Sequence, residues 1–284
     1  MRLGIALPTE DTADQPAADG RRVLRAESLA EGARRIEAAG FDSAWVFDSI
    51  GRGFLLPDPL IALSVAATVT SRIELGTGVL QIPLRNPVDL AHRILTTHLM
   101  SGGRLRLGVG AGSTAADFDA LGMDFPSRFR RLDEDLSTMK KLWAGERVGK
   151  AQLGTWPAAA GGPPIFIGSW AGSRWIERAA REFDGWVGSG ARSSWQKVTD
   201  GIARFRSLGG KRAILTNVVV RLDSPTASPE GPDDPFDLAC PPEIARQRVA
   251  RIQSLGYDDL VLVSRRHDDE HLRQLRGLLQ QDGG

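Results

Sequence analysis

Apolar and polar positions along this chain alternate between two periods. Short apolar runs at 2–7, 43–47, 72–79, 105–110, 164–168, 185–187, 213–222 and 260–264 have the length and flanks of buried strands. Between them, helical periodicity marks 25–39, 59–70, 86–101, 129–143, 173–183, 195–208, 243–255 and 269–279. In the first of these helices Leu29, Ala33, Ile36 and Ala39 or Gly40 fall on one side. In the fourth, Leu132, Leu136, Met139 and Leu142 or Trp143 do the same. Boundary residues agree with the spacing. Asp58 suits an N-cap with Pro59 in the first helical position, and Gly209 and Gly210 stop the helix at 195–208.

Strict alternation of eight strands with eight helices predicts a parallel sheet. That count, in 284 residues, predicts a closed (β/α)8 TIM barrel as a single domain over 1–284. The rival is an open doubly wound sheet. Such sheets usually have fewer strands, and the dinucleotide glycine fingerprint is missing after the first strand. Two short insertions interrupt the pattern. Residues 150–162 are rich in Ala and Gly and precede the fifth strand. Residues 223–237 hold four prolines and five acids and follow the seventh strand, which puts them on the C-terminal rim. A lid over the site and a plain surface loop both fit that second insert.

Composition narrows the function classes. A net charge of +1 gives no electrostatic reason to expect a nucleic-acid or membrane-surface partner. The lone Cys240, between Ala239 and Pro241, forms no recognised motif and allows no intrachain disulfide, so a reducing, cytoplasmic setting is expected. MRLGIALP runs directly into a strand without a signal-peptide pattern, and no apolar run reaches the roughly 18 residues of a membrane span. Apolar faces spread over several helices make a homodimer the expected assembly.

In a barrel the chemistry sits at the C-terminal ends of the strands. The sequences RIELGTGVLQIPLRNP and SGGRLRLGVGAGS end two successive strands in small residues, leaving bare backbone for a planar cofactor. The eight strand ends hold one carboxylate, Asp48, and neither histidine nor lysine. That argues against Schiff-base and metal-hydrolytic chemistry and suits an enzyme whose cofactor supplies the reactivity. Asp48 itself reads as a loop cap or as a hydrogen-bond acceptor or general base at the rim. FIGSWAGSRW, with Gly168, Ser169, Ser173 and Arg174, reads either as a phosphate site at a helix N-terminus or as an ordinary turn with a Ser cap. His267 and His271 are expected to be solvated on a surface helix, and Arg128, Arg131 and Glu134 to form ion pairs on theirs.

The stretches EGARRIEAAGFDSAWVFD, RIELGTGVLQIPLRNPVDLAHRILTTHLMSGGRLRLGVGAGS, DFDALGMDFPSRFRRLDE and PPIFIGSWAGSRWIERAAREFDGW occur in that order. Together they resemble the luciferase-like monooxygenase superfamily, the bacterial-luciferase and coenzyme-F420 oxidoreductase group. The resemblance implies a barrel that binds FMN or, alternatively, F420 at its C-terminal mouth. It implies a bulge with a non-prolyl cis peptide at Gly78–Val79. Gln81, Ala111, Gly112 and Ser113 match positions that touch the ring or ribityl chain, and Gly172, Ser173 and Arg174 match the phosphate loop. Asp48 and Ser49 would lie nearest the chemistry, with Trp170 and the loop after the seventh strand shaping the pocket. Ser49 stands where many members carry histidine, and Ser113 where F420 sugar-phosphate dehydrogenases carry glutamate. Both departures count against that branch. The reading implied is a monooxygenase using reduced FMN, delivered by a separate flavin reductase, and O2 on a small organic substrate. F420-dependent hydride transfer and a flavin-binding protein without turnover are the alternatives.

Overall fold

The computed structural model describes residues 1–9, 26–50, 53, 56–191, 193–234 and 236–279. Residue 25 of the expected first helix and Pro235 of the second insert lie outside them. The elements follow in the order β1 (Arg2–Ala6), α1 (Ala26–Ala38), β2 (Ser43–Val46), α2 (Pro59–Val69), β3 (Glu74–Thr77), β4 (Leu80–Gln81) and α3 (Pro87–Met100). Next come β5 (Leu105–Gly110), α4 (Ala115–Asp119), α5 (Arg128–Trp143), β6 (Ile165–Gly168), α6 (Trp175–Glu182), β7 (Gly185–Ser189) and α7 (Trp195–Ser207). The chain ends in β8 (Arg212–Arg221), β9 (Leu238–Ala239), α8 (Pro242–Ser254), β10 (Asp259–Val263) and α9 (Asp269–Arg276).

All barrel pairings are parallel, and they run β1, β2, β3, β5, β6, β7, β8, β10 before β10 closes back onto β1. The closed eight-stranded barrel therefore stands, and the open sheet is excluded. Local chemistry sets the outer elements. Asp58 caps α2 by accepting from Leu60 N (3.0 Å) and Ile61 N (3.2 Å), and Asn86 caps α3 by accepting from Val88 N (3.0 Å). Apolar helix faces then bury against the outside of the barrel, while Trp45, Phe166, Val187, Ile214 and Val261 fill its interior.

The structure departs from the sequence expectations at several places. The run 72–79 is not one strand. It stops at Thr77, passes through a cis peptide at Gly78–Val79, and resumes as β4 against β5. The short α4 and β9 were not expected. His267 and His271 are buried, at 3% and 5% exposure, because the chain entering α9 folds back over the ends of β1 and β10. The His267 ring donates from Nε2 to Ala6 O (2.9 Å), and His271 Nε2 meets Ser264 Oγ at 3.0 Å. On α5, Glu134 pairs with Arg130, whereas the Arg128 guanidinium stacks over Phe125 and Phe129, 3.8 and 4.4 Å from their ring centroids.

The insert at 223–237 is a packed loop. The fully buried Arg248 side chain reaches Glu230 Oε1 (2.9 Å), Ser228 Oγ (3.1 Å) and Asp237 Oδ1 (3.2 Å). Phe236 packs edge-on against Trp195 (4.8 Å between centroids). None of its described residues lines the cavity at the C-terminal mouth of the barrel, where the sequence reading has it shaping the pocket.

Charge closes the barrel at its base. Arg2, Glu74, Arg212 and Asp259 each open a strand, and Arg106 lies one residue into β5. Arg212 Nη2 bridges Asp259 Oδ1 (2.6 Å) and Glu74 Oε2 (2.7 Å), and Arg106 and Arg2 each reach Glu74 at 2.7 Å. Burial pushes the Glu74 carboxyl up, but the Arg212, Arg106 and Arg2 guanidiniums hold it below the usual range. With the base filled by this network, the C-terminal mouth is left for a ligand.

Candidate active site

A cavity of about 500 Å³ opens at the C-terminal mouth. That volume lies within the range of small-molecule and cofactor sites. Its walls come from the ends of β2 (Phe47, Asp48, Ser49), β3 and β4 (Gly78, Val79, Gln81), β5 (Gly110 to Ser113), β6 (Gly168, Ser169, Trp170, Ser173), β7 (Val187, Gly188, Ser189) and β8 (Thr216, Asn217). Leu56, Phe129 and Ala191 complete it. Of the residues expected from the sequence, Asp48, Ser49, Gly78, Val79, Gln81, Ala111, Gly112, Ser113, Gly168, Ser169 and Ser173 meet here. Gly172 borders a second cavity of about 570 Å³ between the β6–α6 turn and α7, which shares Ser169, Trp170, Gly188 and Ser189 with the first. Arg174 caps α6 with an exposed side chain and lines neither cavity, because the helix turn carries it outward.

Asp48 does not present a free carboxylate. Its Oδ2 accepts from Gln81 N (2.8 Å) and Arg85 Nη1 (2.6 Å), and its Oδ1 accepts from Arg85 Nη2 (3.0 Å). This is a bidentate pair on a side chain only 2% exposed. Gln81 Nε2 in turn donates to Asp48 O (3.1 Å) and Asp117 Oδ2 (3.3 Å). Asp48 thereby pins the end of β2 to the start of the next crossover, with its carboxylate oxygens engaged by Arg85 and Gln81 N. Arg85 was missed. A buried carboxylate at a strand end requires a nearby cation, and the arginine in IPLRNP was the available one.

The glycines also act differently from the expectation of bare backbone. A Cβ on Gly110 would come within 2.8 Å of Val79 Cγ2, and one on Gly168 within 2.6 Å of Val79 Cγ1. These two glycines make a slot filled by Val79, which forms a floor joined to the barrel's interior cluster. Gly112, at φ +84°, is required by its backbone.

Two hydroxyls in the wall are left over by the fold. Ser49 Oγ and Ser169 Oγ are buried and, among the described residues, have no hydrogen-bond partner. Both hydroxyls belong to residues of the cavity wall, where a bound molecule could pair with them. Among the described lining residues Asp48 is the one ionisable side chain, and Arg85 neutralises it. The cavity is thus a neutral, largely apolar vessel with several hydroxyls and two side-chain amides, Gln81 and Asn217. Thr216 and Asn217, from β8, were also missed. They lie within the apolar run 213–222, where alternation alone assigns no functional face.

Fold and mouth together define a closed parallel barrel with a ring-sized ligand cavity at the C-terminal ends of its strands. The chain belongs to the luciferase-like monooxygenase family, whose pattern it matches over residues 1–222. It is 36% identical over 153 residues to an F420-dependent glucose-6-phosphate dehydrogenase of Kineococcus radiotolerans, covering 49% of this chain and 44% of that one. It is 26% identical over 166 residues to the oxygenase component of a flavin-dependent trigonelline monooxygenase of Acinetobacter baylyi, covering 57% and 45%. Among solved structures, the coenzyme F420 dependent tetrahydromethanopterin reductase of Methanopyrus kandleri superposes with a TM-score of 0.75 at 18% identity, over 97% of both chains, which speaks to the fold. The chain spans about two-fifths of the length of the first curated relatives it matches. Relatives thus use either flavin or coenzyme F420, and the family's members are oxidoreductases. Among the described residues no helix is long and apolar enough to cross a membrane, and no cluster of potential metal ligands occurs.

Proposed function

We propose that the protein is a flavin-dependent oxidoreductase of the monooxygenase type, acting with reduced FMN and O2 on a small, uncharged organic substrate. The observation that carries this reading is the neutral cavity at the barrel mouth with two orphaned hydroxyls in its wall. An enzyme whose own residues had to move protons would need an ionisable group facing the substrate, and Asp48, committed to Arg85, is not one. When bound, the reduced flavin supplies the electrons and the reactivity toward oxygen.

The chain's own residues bind, orient and exclude water. Val79, seated on Gly110 and Gly168, gives the ring a flat apolar floor. Ser169 and Ser173, at the turn into α6, offer hydroxyls to the phosphate, and Ser173 Oγ already accepts from Trp175 N (3.2 Å). Ser49 offers its unpartnered hydroxyl to the substrate. Phe47, Leu56, Phe129 and Trp170 wall the mouth with apolar surface that keeps water away from the reacting centre. Since one relative is named as an oxygenase component, a separate flavin reductase is the partner this reading calls for.

The identity to an F420-dependent dehydrogenase supports a second reading, hydride transfer through F420 without oxygen. Titration separates the two. The protein is titrated with FMN and with F420 while ligand fluorescence is followed, and oxygen consumption is then measured with a flavin reductase, NADH and a panel of neutral aromatic and aliphatic substrates. Binding of FMN and substrate-dependent oxygen uptake are expected. Tight binding of F420 with no response to FMN would overturn the proposal.

A further inference from the structure

Asn217 is the one described non-glycine residue with a left-handed backbone, at φ 57°. It sits where β8 carries an extra residue. Leu215 pairs with Leu260 and Val218 with Leu262, so three steps along β8 match two along β10. Such a bulge takes a side chain out of the alternating pattern and re-aims it. Here Asn217 joins the cavity wall. Its Nδ2 lies 3.4 Å from Gly78 O, in the break between β3 and β4, and 3.2 Å from Thr216 Oγ1. Thr216 Oγ1 donates onward to Gly188 O (3.1 Å) and so accepts from the amide. A carbonyl only accepts, so both neighbours fix the NH2 end of the amide toward themselves. The other end, Oδ1, is left as an acceptor, and among the described residues nothing donates to it.

We infer that Asn217 is a ligand-binding residue whose Oδ1 accepts the ring N–H that the isoalloxazine or deazaflavin system carries between two carbonyls. This deepens the reading of the cavity as a ring-cofactor site and rests on it. A neutral acceptor held by two fixed partners suits an imide edge, because it selects a donor there without introducing charge.

The backbone supplies an unusually clean test. Glycine adopts this φ without strain, so Asn217→Gly removes the carboxamide and leaves the fold intact. Wild type, Asn217→Gly and Asn217→Ala are titrated with FMN, with 3-methyl-FMN and with F420, whose ring has the same edge. Absorption spectra of the bound ring are recorded alongside far-UV circular dichroism. Wild type is expected to prefer FMN over the methylated ring by about three- to tenfold, the worth of one hydrogen bond. Asn217→Gly is expected to lose that preference, weaken FMN or F420 by the same factor and shift the bound-ring spectrum with unchanged circular dichroism. Asn217→Ala is expected to show the same loss of preference even where it melts earlier. An Asn217→Gly protein with wild-type affinity, preference and spectrum would overturn this inference alone. A wild type that binds neither FMN nor F420 would overturn the cavity reading as well.

Discussion

The two nitrogens of Arg85 that grip Asp48 give a sharp prediction at the scale of one residue. A general base removed by Asp48→Asn would cost turnover and leave stability alone. The geometry instead predicts that Asp48→Asn and Arg85→Met both lower the melting temperature and weaken FMN together, since each unpins Gln81 and the end of β2. Arg85→Met should be the worse by stability, about 3 kcal/mol, because it strands a buried carboxylate. Thermal melts and FMN titrations of the two variants check this. Ser49→Ala is the converse case. Deleting an orphaned hydroxyl should leave the melting temperature level or slightly higher while turnover falls.

Asp135 is a second residue with a testable signature. It is 8% exposed on α5, its Oδ2 has no partner among the described residues, and burial pushes its pKa up to about 6, against a pull from Arg131. The folded state therefore holds this proton more tightly than the unfolded chain does. Stability from Asp135 is greatest below the unfolded value near 4 and is lost as pH rises through about 6. Asp135→Asn should stabilise the protein at pH 8 by roughly 1–3 kcal/mol. The gap between variant and wild type should close as pH falls from 7 to 4. Denaturant melts across that range measure it, and a gap that widens toward acid would refute it.

At the scale of elements, what could be read from the sequence depended on whether the signal was local. Asp58 announced α2, and its cap forms the expected hydrogen bonds. The break between β3 and β4 had no such local mark, since GTGVLQ carries on the small and apolar character of the strand before it. Only the resemblance placed a cis peptide at Gly78–Val79. The same distinction holds for the glycines. Their sequence says that a side chain is missing, and only packing says that Val79 fills the space at Gly110 and Gly168. Buried His267 and His271 escaped for the reverse reason: their acidic neighbours look solvated, while the contacts that bury them come from β1 and β10. A prediction follows for the slot. Gly168→Ala places a methyl 2.6 Å from Val79 Cγ1 and should cost about 1–3 kcal/mol by overpacking, with weaker FMN binding as Val79 is driven into the mouth. Adding Val79→Ala should recover part of both losses, and a double-mutant cycle on melting and binding reads the coupling. Independent, additive effects would show that Val79 is not the floor.

At the scale of the whole molecule, the barrel divides its work between two ends. Alternation of strands and helices made the closed barrel legible, and the scarcity of ionisable groups at the strand ends made the neutral mouth legible. The base was not, because its ion network joins residues as far apart as Arg2 and Asp259, which no local pattern connects. Asp259 is fully buried, and burial pushes its carboxyl up even with Arg212 beside it. Arg212→Met would leave Asp259 and Glu74 facing each other with less compensating charge. A loss of about 3–5 kcal/mol is expected, the usual cost of removing one partner from a buried pair. That deficit should shrink as pH falls, because protonating the stranded carboxylates relieves it, whereas Glu74 in the wild type, held below its usual range, contributes stability above its unfolded pKa that is lost as pH falls through the folded value. FMN affinity at pH 7, measured well below the variant's melting temperature, should be unchanged, since the ligand sits at the other end of the same strands. If Arg212→Met weakened FMN as much as Arg85→Met does, base and mouth would be energetically one unit, and the separation of a structural base from a ligand-binding mouth would be wrong for this barrel.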